Sequence, residues 1–291
     1  MDKNYSENVV PVVYASDDKY APYMYISIKS LISHTNQDTY YQIYVLYTNL
    51  TAKNKKSLRQ LAQDNVKITC IDVQEYLKNL KLKGSGHLSV ATCYRLFIAE
   101  LFKKHSKIVY MDSDTVILDD IEKFYAIDLK GKTVGAVHDV VCTFLVEHYR
   151  ESIDMDVKDG FNAGILLIDT KKFAEKKIKE ECIRLLEEDS QKKIRKFFYM
   201  DQDVLNLTLR GDIFFIDNSW NFQWQYLWRL HTIPDQYRQE YVKCAERPRI
   251  MHYAGDKKPW ERPDLEMADI FWETARDTAC YEEILFANLG D

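Results

Sequence analysis

The stretch Lys107-Ile108-Val109-Tyr110-Met111-Asp112-Ser113-Asp114 runs from a short apolar segment straight into two carboxylates one residue apart. A brief apolar run bounded by polar residues reads as a buried strand. If the chain stays extended past Met111, Asp112 and Asp114 point the same way, about 6–7 Å apart. Two hard oxygen ligands so placed suit a divalent cation that also binds phosphate oxygens. The same spacing suits a solvated turn after a strand. Asp119 and Asp120 read as surface acids ahead of the next element.

Upstream the pattern alternates. Val9-Val10-Pro11-Val12-Val13-Tyr14 is a second buried strand, stopping at Ser16-Asp17-Asp18. Pro22 to His34 carries Tyr25, Ile28, Leu31 and Ile32 at helical spacing. A strand at Tyr41–Tyr47, a helix opened by Thr51 and a strand at Val66–Ile71 follow. After Gly84-Ser85-Gly86, Ser89 caps a helix through Tyr94, Phe97, Ile98 and Leu101. This β-α order predicts an α/β fold with a mostly parallel sheet and helices on both faces. Ligands of such sheets bind beyond the carboxyl ends of strands, where Asp17-Asp18 and Asp112–Asp114 both lie.

The second half is less regular. Strands are expected near Thr133–Val137 and Phe161–Ile168, an amphipathic helix from Lys171 to Glu188, and a shorter one from Met200 to Leu209. Trp220–Trp228 packs three Trp, a Phe and a Tyr into nine residues. That density fits a core wedge or a sugar-handling surface. No repeat or Gly/Ser linker marks a boundary, so one continuous domain over 1–291 is expected, with an elaboration over about 220–291.

Composition narrows the class. The 291 residues are 46% hydrophobic and 29% charged, an ordinary globular balance, with a net charge of -5 that gives no footprint of nucleic-acid binding. A mean hydropathy of -0.40 with no long apolar run argues against a transmembrane helix, and the opening MDKNYSENVV does not read as a signal peptide. A cytoplasmic protein is expected. The closest of six cysteines, Cys70 and Cys93, are 23 apart, which predicts reduced, mostly buried thiols and no zinc ribbon.

Other candidates each have a plain alternative. Asp17 and Asp18 cap a helix or accept a base or ribose donor. Neither G-x-G-x-x-G nor a P-loop is present, so phosphates would need a metal and isolated cations such as Arg95, Lys257 and Lys258. Asp201-Gln202-Asp203 opens a helix, where acids favour the dipole. Asn162-Ala163-Gly164 fits a turn. His252 fits a core histidine or a metal ligand; no HxxH or HExxH pattern exists.

Taken together, the segments resemble glycosyltransferase family 8, the retaining nucleotide-sugar-dependent enzymes that include glycogenin and bacterial lipopolysaccharide galactosyl- and glucosyltransferases. The opening motif is Val12-Val13-Tyr14-Ala15-Ser16-Asp17-Asp18-Lys19-Tyr20, and the D-x-D lies in Val109–Asp114. Thr92–Leu96 matches the arginine helix. Phe161–Leu167, Asp201–Asn206 and His252–Trp260 match later motifs in order, so the resemblance covers residues 9 to about 260.

The resemblance implies a GT-A fold that transfers glucose or galactose from a UDP-sugar to a saccharide, lipid-linked sugar or glycoprotein acceptor. It would place uracil near Ala15, Asp17, Lys19 and Tyr20, with the tyrosine stacking on the base; Lys19 stands where asparagine is frequent. Asp112, Asp114 and His252 would hold Mn²⁺ (or Mg²⁺). Gly255 and Lys258 would contact phosphates. Arg95, Asn162, Asp201 and Gln202, with Ser113 and Ala163, complete the donor site, and Asp201 and Gln202 would be catalytic. The acidic end, Cys280 to Asp291, lacks the basic, aromatic tail with which lipopolysaccharide enzymes reach membranes, so membrane contact is at most peripheral. Two rivals stay open: a haloacid-dehalogenase-type phosphatase built on Asp112-Ser113-Asp114-Thr115, and a non-catalytic nucleotide-sugar-binding module.

Overall fold

The computed structural model describes residues 8–78, 80, 90–192 and 196–287. The Gly84–Gly86 connection and the Ser89 cap lie outside the described residues. Among the described residues ten strands run in chain order: β1 (Val9–Ala15), β2 (Tyr40–Tyr47), β3 (Val66–Asp72), β4 (Lys107–Met111), β5 (Thr115–Ile117), β6 (Val134–His138), β7 (Phe161–Asp169), β8 (Ile213–Ile216), β9 (Phe222–Gln223) and β10 (Ile250–His252).

Seven form one sheet in the order β3-β2-β1-β4-β7-β6-β8. Only β7 runs against its neighbours, β4 and β6, so the mostly parallel sheet expected from the β-α alternation is present. Side chains alternate between two cores. Val13, Ala15, Ile108 and Tyr110 enter one; Val12, Tyr14, Val109 and Met111 enter the other. Burial on both faces is why these strands read as unbroken apolar runs. Ile178, Cys182, Leu186, Val204 and Leu205 cover the first face, and Met24, Ile28, Leu31, Ile121 and Phe124 the second.

Strand order reverses at β1. The chain leaves β1 for β2 on one side, while β4 lies on the other with Met111 opposite Tyr14. The carboxyl ends of both strands therefore open into one crevice. A second sheet, β5-β10-β9, folds the C-terminal region back onto it, setting His252 opposite Thr115. Trp224, Tyr253, Trp260 and Phe271 join the same core as β1 and β4.

Three helical expectations need correction. The helix expected over 171–188 is two, Thr170–Glu175 and Ile178–Ser190, broken at Lys177 with φ 55°. Buried Phe173 and Ile178 would lie about 140° apart on one continuous helix, so a single apolar face cannot hold both. Val90–Phe97 is a 3₁₀ helix, turning α-helical only at Ile98–Leu101. The helix expected from Met200 starts at Asp201, because Met200 has φ 47° and no capping side chain. Asp120 caps Ile121–Tyr125 and, like Asp119, is half-buried. All six cysteines are free, four of them buried.

Candidate active site

The crevice is a cavity of about 450 Å³. Its floor starts where β4 ends. The Asp112 amide donates to Gly164 O at 2.8 Å across the β4–β7 pair, and Ser113 Oγ donates to Ala15 O at 3.0 Å, tying the β4 end to β1. Tyr253 N donates to Asp114 O at 2.9 Å, which brings His252 alongside. His252 Nε2 lies 3.4 Å from Asp114 Oδ1 and 3.9 Å from Asp112 Oδ2. Ligand atoms of these three residues fall within 4.8 Å of one another.

The imidazole is oriented from behind. Its Nδ1 is 2.8 Å from Asn221 Oδ1, an acceptor, so Nδ1 donates there and Nε2 faces the carboxylates. Asn221 Nδ2 donates to Asn162 Oδ1 at 2.9 Å, and the same oxygen accepts the Gly164 amide at 2.9 Å. Two carboxylates and an imidazole nitrogen turned inward form a donor set that fits a divalent cation.

Behind the carboxylates lies Arg95, 3% exposed. Nη2 donates to Asp112 Oδ1 at 2.7 Å, Nε to Thr92 O at 2.9 Å, and Nη1 to Ala163 O. Nε also stands 2.9 Å from Asp201 Oδ2, an ion pair without the alignment of a hydrogen bond. The guanidinium stacks over Tyr110 at 4.3 Å, and Tyr110 Oη donates to Asp112 Oδ1 at 2.8 Å. Arg95 thus orients Asp112 and Asp201 from within. Burial opposes its charge, but Asp112 and Asp201 outweigh that and raise its pKa.

The two carboxylates of the pair differ. Burial raises the Asp112 pKa. Burial acts likewise on Asp114, but Lys258 and His252 overcome it and hold this carboxyl well below its usual range. Lys258 Nζ donates to Asp114 Oδ2 at 2.6 Å and to Tyr253 O at 2.8 Å.

Gln202 lines the same cavity. Its Oε1 accepts the Ala163 amide at 3.0 Å, and its Nε2 donates to Asp139 Oδ2 at 3.0 Å. The Asp139 carboxylate also accepts Tyr149 Oη at 3.1 Å, and burial raises its pKa to about 6. Sequence reasoning missed Asp139, although it directly follows β6, at the same kind of strand end that marked Asp112.

The cavity brings together Ala15, Asp17, Tyr20, Arg95, Asp112, Ser113, Asp114, Asn162, Ala163, Asp201, Gln202, His252, Gly255, Lys257 and Lys258. Lys19 is exposed and does not line it. Asp17 Oδ1 accepts the Tyr20 amide at 3.0 Å, whereas Asp18 faces away, accepting Thr51 N at 2.7 Å and Asn54 Nδ2 at 2.9 Å.

The model of the family described as "Glycosyl transferase family 8" matches residues 11–264. The chain belongs to glycosyltransferase family 8. Relatives include general stress protein A of Bacillus subtilis, 28% identical over 87% of this chain and 88% of that protein. Lipopolysaccharide 1,2-glucosyltransferase of Escherichia coli is 28% identical over 86% of this chain and 72% of that protein. Among solved structures, galactosyltransferase LgtC, in complex with donor and acceptor sugar analogs, superimposes with a TM-score of 0.73 at 25% identity, over 93% of this chain and 96% of its own. The fold is therefore the GT-A fold of this family, and the protein is a glycosyltransferase. Family membership removes the phosphatase reading of Asp112-Ser113-Asp114-Thr115.

Position in the cavity also divides the aromatic stretch 220–228. Trp220, Phe222 and Trp224 are buried, and Trp224 is 0% exposed. Tyr226 reaches the wall, and Trp228, 38% exposed, stands on the rim with Phe144 and Phe198. Most of the stretch is core; its end faces the opening.

Proposed function

We propose that this glycosyltransferase moves a hexose, glucose or galactose, from a UDP-sugar to a saccharide acceptor, with a divalent metal, Mn²⁺ in the first instance, and with retention at the anomeric carbon. The observation that carries the reading is the convergence of Asp112, Asp114 and His252 beneath a cavity that Asp201 and Gln202 also line. The rival of a non-catalytic binding module gives no reason for so many charged groups to be buried around one point. Six free thiols support a cytoplasmic location.

A divalent cation held by Asp112, Asp114 and His252 would supply Lewis-acid neutralisation of the diphosphate. The chain's own residues do the rest. Ala15, Asp17 and Tyr20 lie where the nucleoside end would rest. Lys258, paired with Asp114, is placed to turn its ammonium onto the diphosphate as negative charge develops there. Asp201 and the free lone pair of Gln202 Oε1 are placed to meet the positive charge growing on the sugar ring. Asn162 and Arg95 hold the pocket's geometry. The sequence offers no well-placed second carboxylate as a covalent nucleophile, so the acceptor hydroxyl attacks on the face the diphosphate leaves, and the departing phosphate takes its proton. UDP release should appear with a UDP-hexose and Mn²⁺ and disappear with EDTA. Release unaffected by EDTA contradicts the metal role, and no release from any UDP-hexose contradicts the donor.

A further inference from the structure

Six large apolar side chains stand exposed among the described residues, and three of them, Phe144, Phe198 and Trp228, share the rim of the cavity. They come from three separate segments: the first turn of helix Thr143–Ser152, the approach to Asp201, and the chain beyond Tyr226. Exposed aromatic area contributes nothing to folding, so its convergence on one opening marks a ligand face. Flat rings of this kind take the apolar face of a pyranose.

The rim is also charged. Lys257 Nζ lies 4.1 Å from the Trp228 ring centroid and Arg229 Cζ lies 4.2 Å from it. Neither cation has a carboxylate partner among the described residues, and both line the cavity. Asp256 shares the rim, which leaves the rim's formal charge one positive. The floor is the reverse, with Asp112, Asp114, Asp139 and Asp201. Gln225 Oε1 lies beneath the rim, buried and without a hydrogen-bond partner. A neutral sugar would need the aromatic rings and the amide; it would leave the rim's net positive charge unanswered.

We propose that Arg229 and Lys257, held over the Trp228 ring, form with the neighbouring Phe144 and Phe198 an acceptor subsite selective for a saccharide that carries an anionic group, phosphate or carboxylate. The inference rests on the sugar-transfer reading above. The bonds are those of that transfer: the acceptor oxygen bonds to the anomeric carbon, the bond to the diphosphate breaks with its electron pair, and the hydroxyl proton leaves with UDP.

A glycan array carrying neutral oligosaccharides beside their phosphorylated and uronic-acid counterparts, probed with the full chain, UDP and Mn²⁺, tests it. The anionic members should be retained about tenfold better than their neutral counterparts, as expected for hydrogen bonds to charged groups. The phosphate and uronate arms identify which anion is read. In R229Q/K257Q that preference should collapse while neutral glycans are held as before; in W228L, which removes the ring that holds both cations, the preference should fall. Equal retention of neutral and anionic glycans, an unchanged preference in R229Q/K257Q, or no retention at all overturns the inference. Hydrolysis of UDP-hexose by the wild-type protein without acceptor is measured in parallel. Its absence points to failure of the sugar-transfer reading, and its presence without anionic preference sinks the acceptor inference alone.

Discussion

A side chain on Gly164 would collide with His252: a Cβ built there lies 2.3 Å from the imidazole Cε1 and 2.9 Å from Nδ1. Gly164 is thus the absent side chain that lets β7 back directly onto the histidine. Together with Asn221 it fixes where Nε2 points, a device of the kind that tunes metal ligands from one layer out.

Gly164→Ala should therefore weaken Mn²⁺ binding by about 10–100-fold, the usual effect of disturbing such support. Titration calorimetry with Mn²⁺ reads this directly. Unchanged metal affinity in a folded variant would show that His252 tolerates displacement and is no ligand.

Arg95 answers two buried carboxylates at once. Replacing it with Met leaves Asp112 and Asp201 unpaired in the interior, which should cost about 3–5 kcal/mol. Urea unfolding of Arg95→Met measures the loss, and a loss below about 1 kcal/mol would place this arginine among exposed pairs.

Asp139 gives stability a pH dependence. Its carboxyl is raised from 3.8 to about 6 by burial, so the folded state holds the proton more tightly than the unfolded one. This group's contribution is greatest below about pH 4 and declines as pH rises through about 6. Asp139→Asn lacks that decline. The melting temperature of the variant minus that of wild type should grow more positive from pH 4 to pH 7; a flat difference contradicts the shift.

Trp224 and Trp228 differ by four residues and by environment. Trp224→Ala should cost about 3–5 kcal/mol as a core truncation. Chemical denaturation checks it, and near-wild-type stability would mean that the stretch 220–227 is not the wedge its burial indicates.

Features carried by neighbouring residues were legible in the sequence. Apolar runs ending on acids located β1 and β4, and those ends carry Ser16-Asp17 and Asp112-Ser113-Asp114 into the cavity. Asn162, Gln202, His252 and Lys258 were legible as ordered motifs. Features set by distant partners were not. The break at Lys177 follows from two helices with different neighbours, Thr170–Glu175 against β7 and Ile178–Ser190 against the helix Asp201–Thr208. The inward turn of Trp224 and the outward turn of Trp228 depend on how β9 pairs with β10. Asp139 sits in plain view after β6, but its role arises from Gln202 and Tyr149, residues 63 and 10 positions away.

Retaining, metal-dependent transfer from a UDP-hexose is tested most directly by proton NMR of the first product formed with Mn²⁺ and an acceptor. UDP-hexoses carry the nucleotide in the α configuration, and the cavity presents Gln202 and a paired Asp201 where an inverting enzyme needs a free carboxylate base. The anomeric proton of early product should show the small coupling of an α-glycoside. A large diaxial coupling, the mark of a β-glycoside, would contradict same-face attack and the roles given to Asp201 and Gln202.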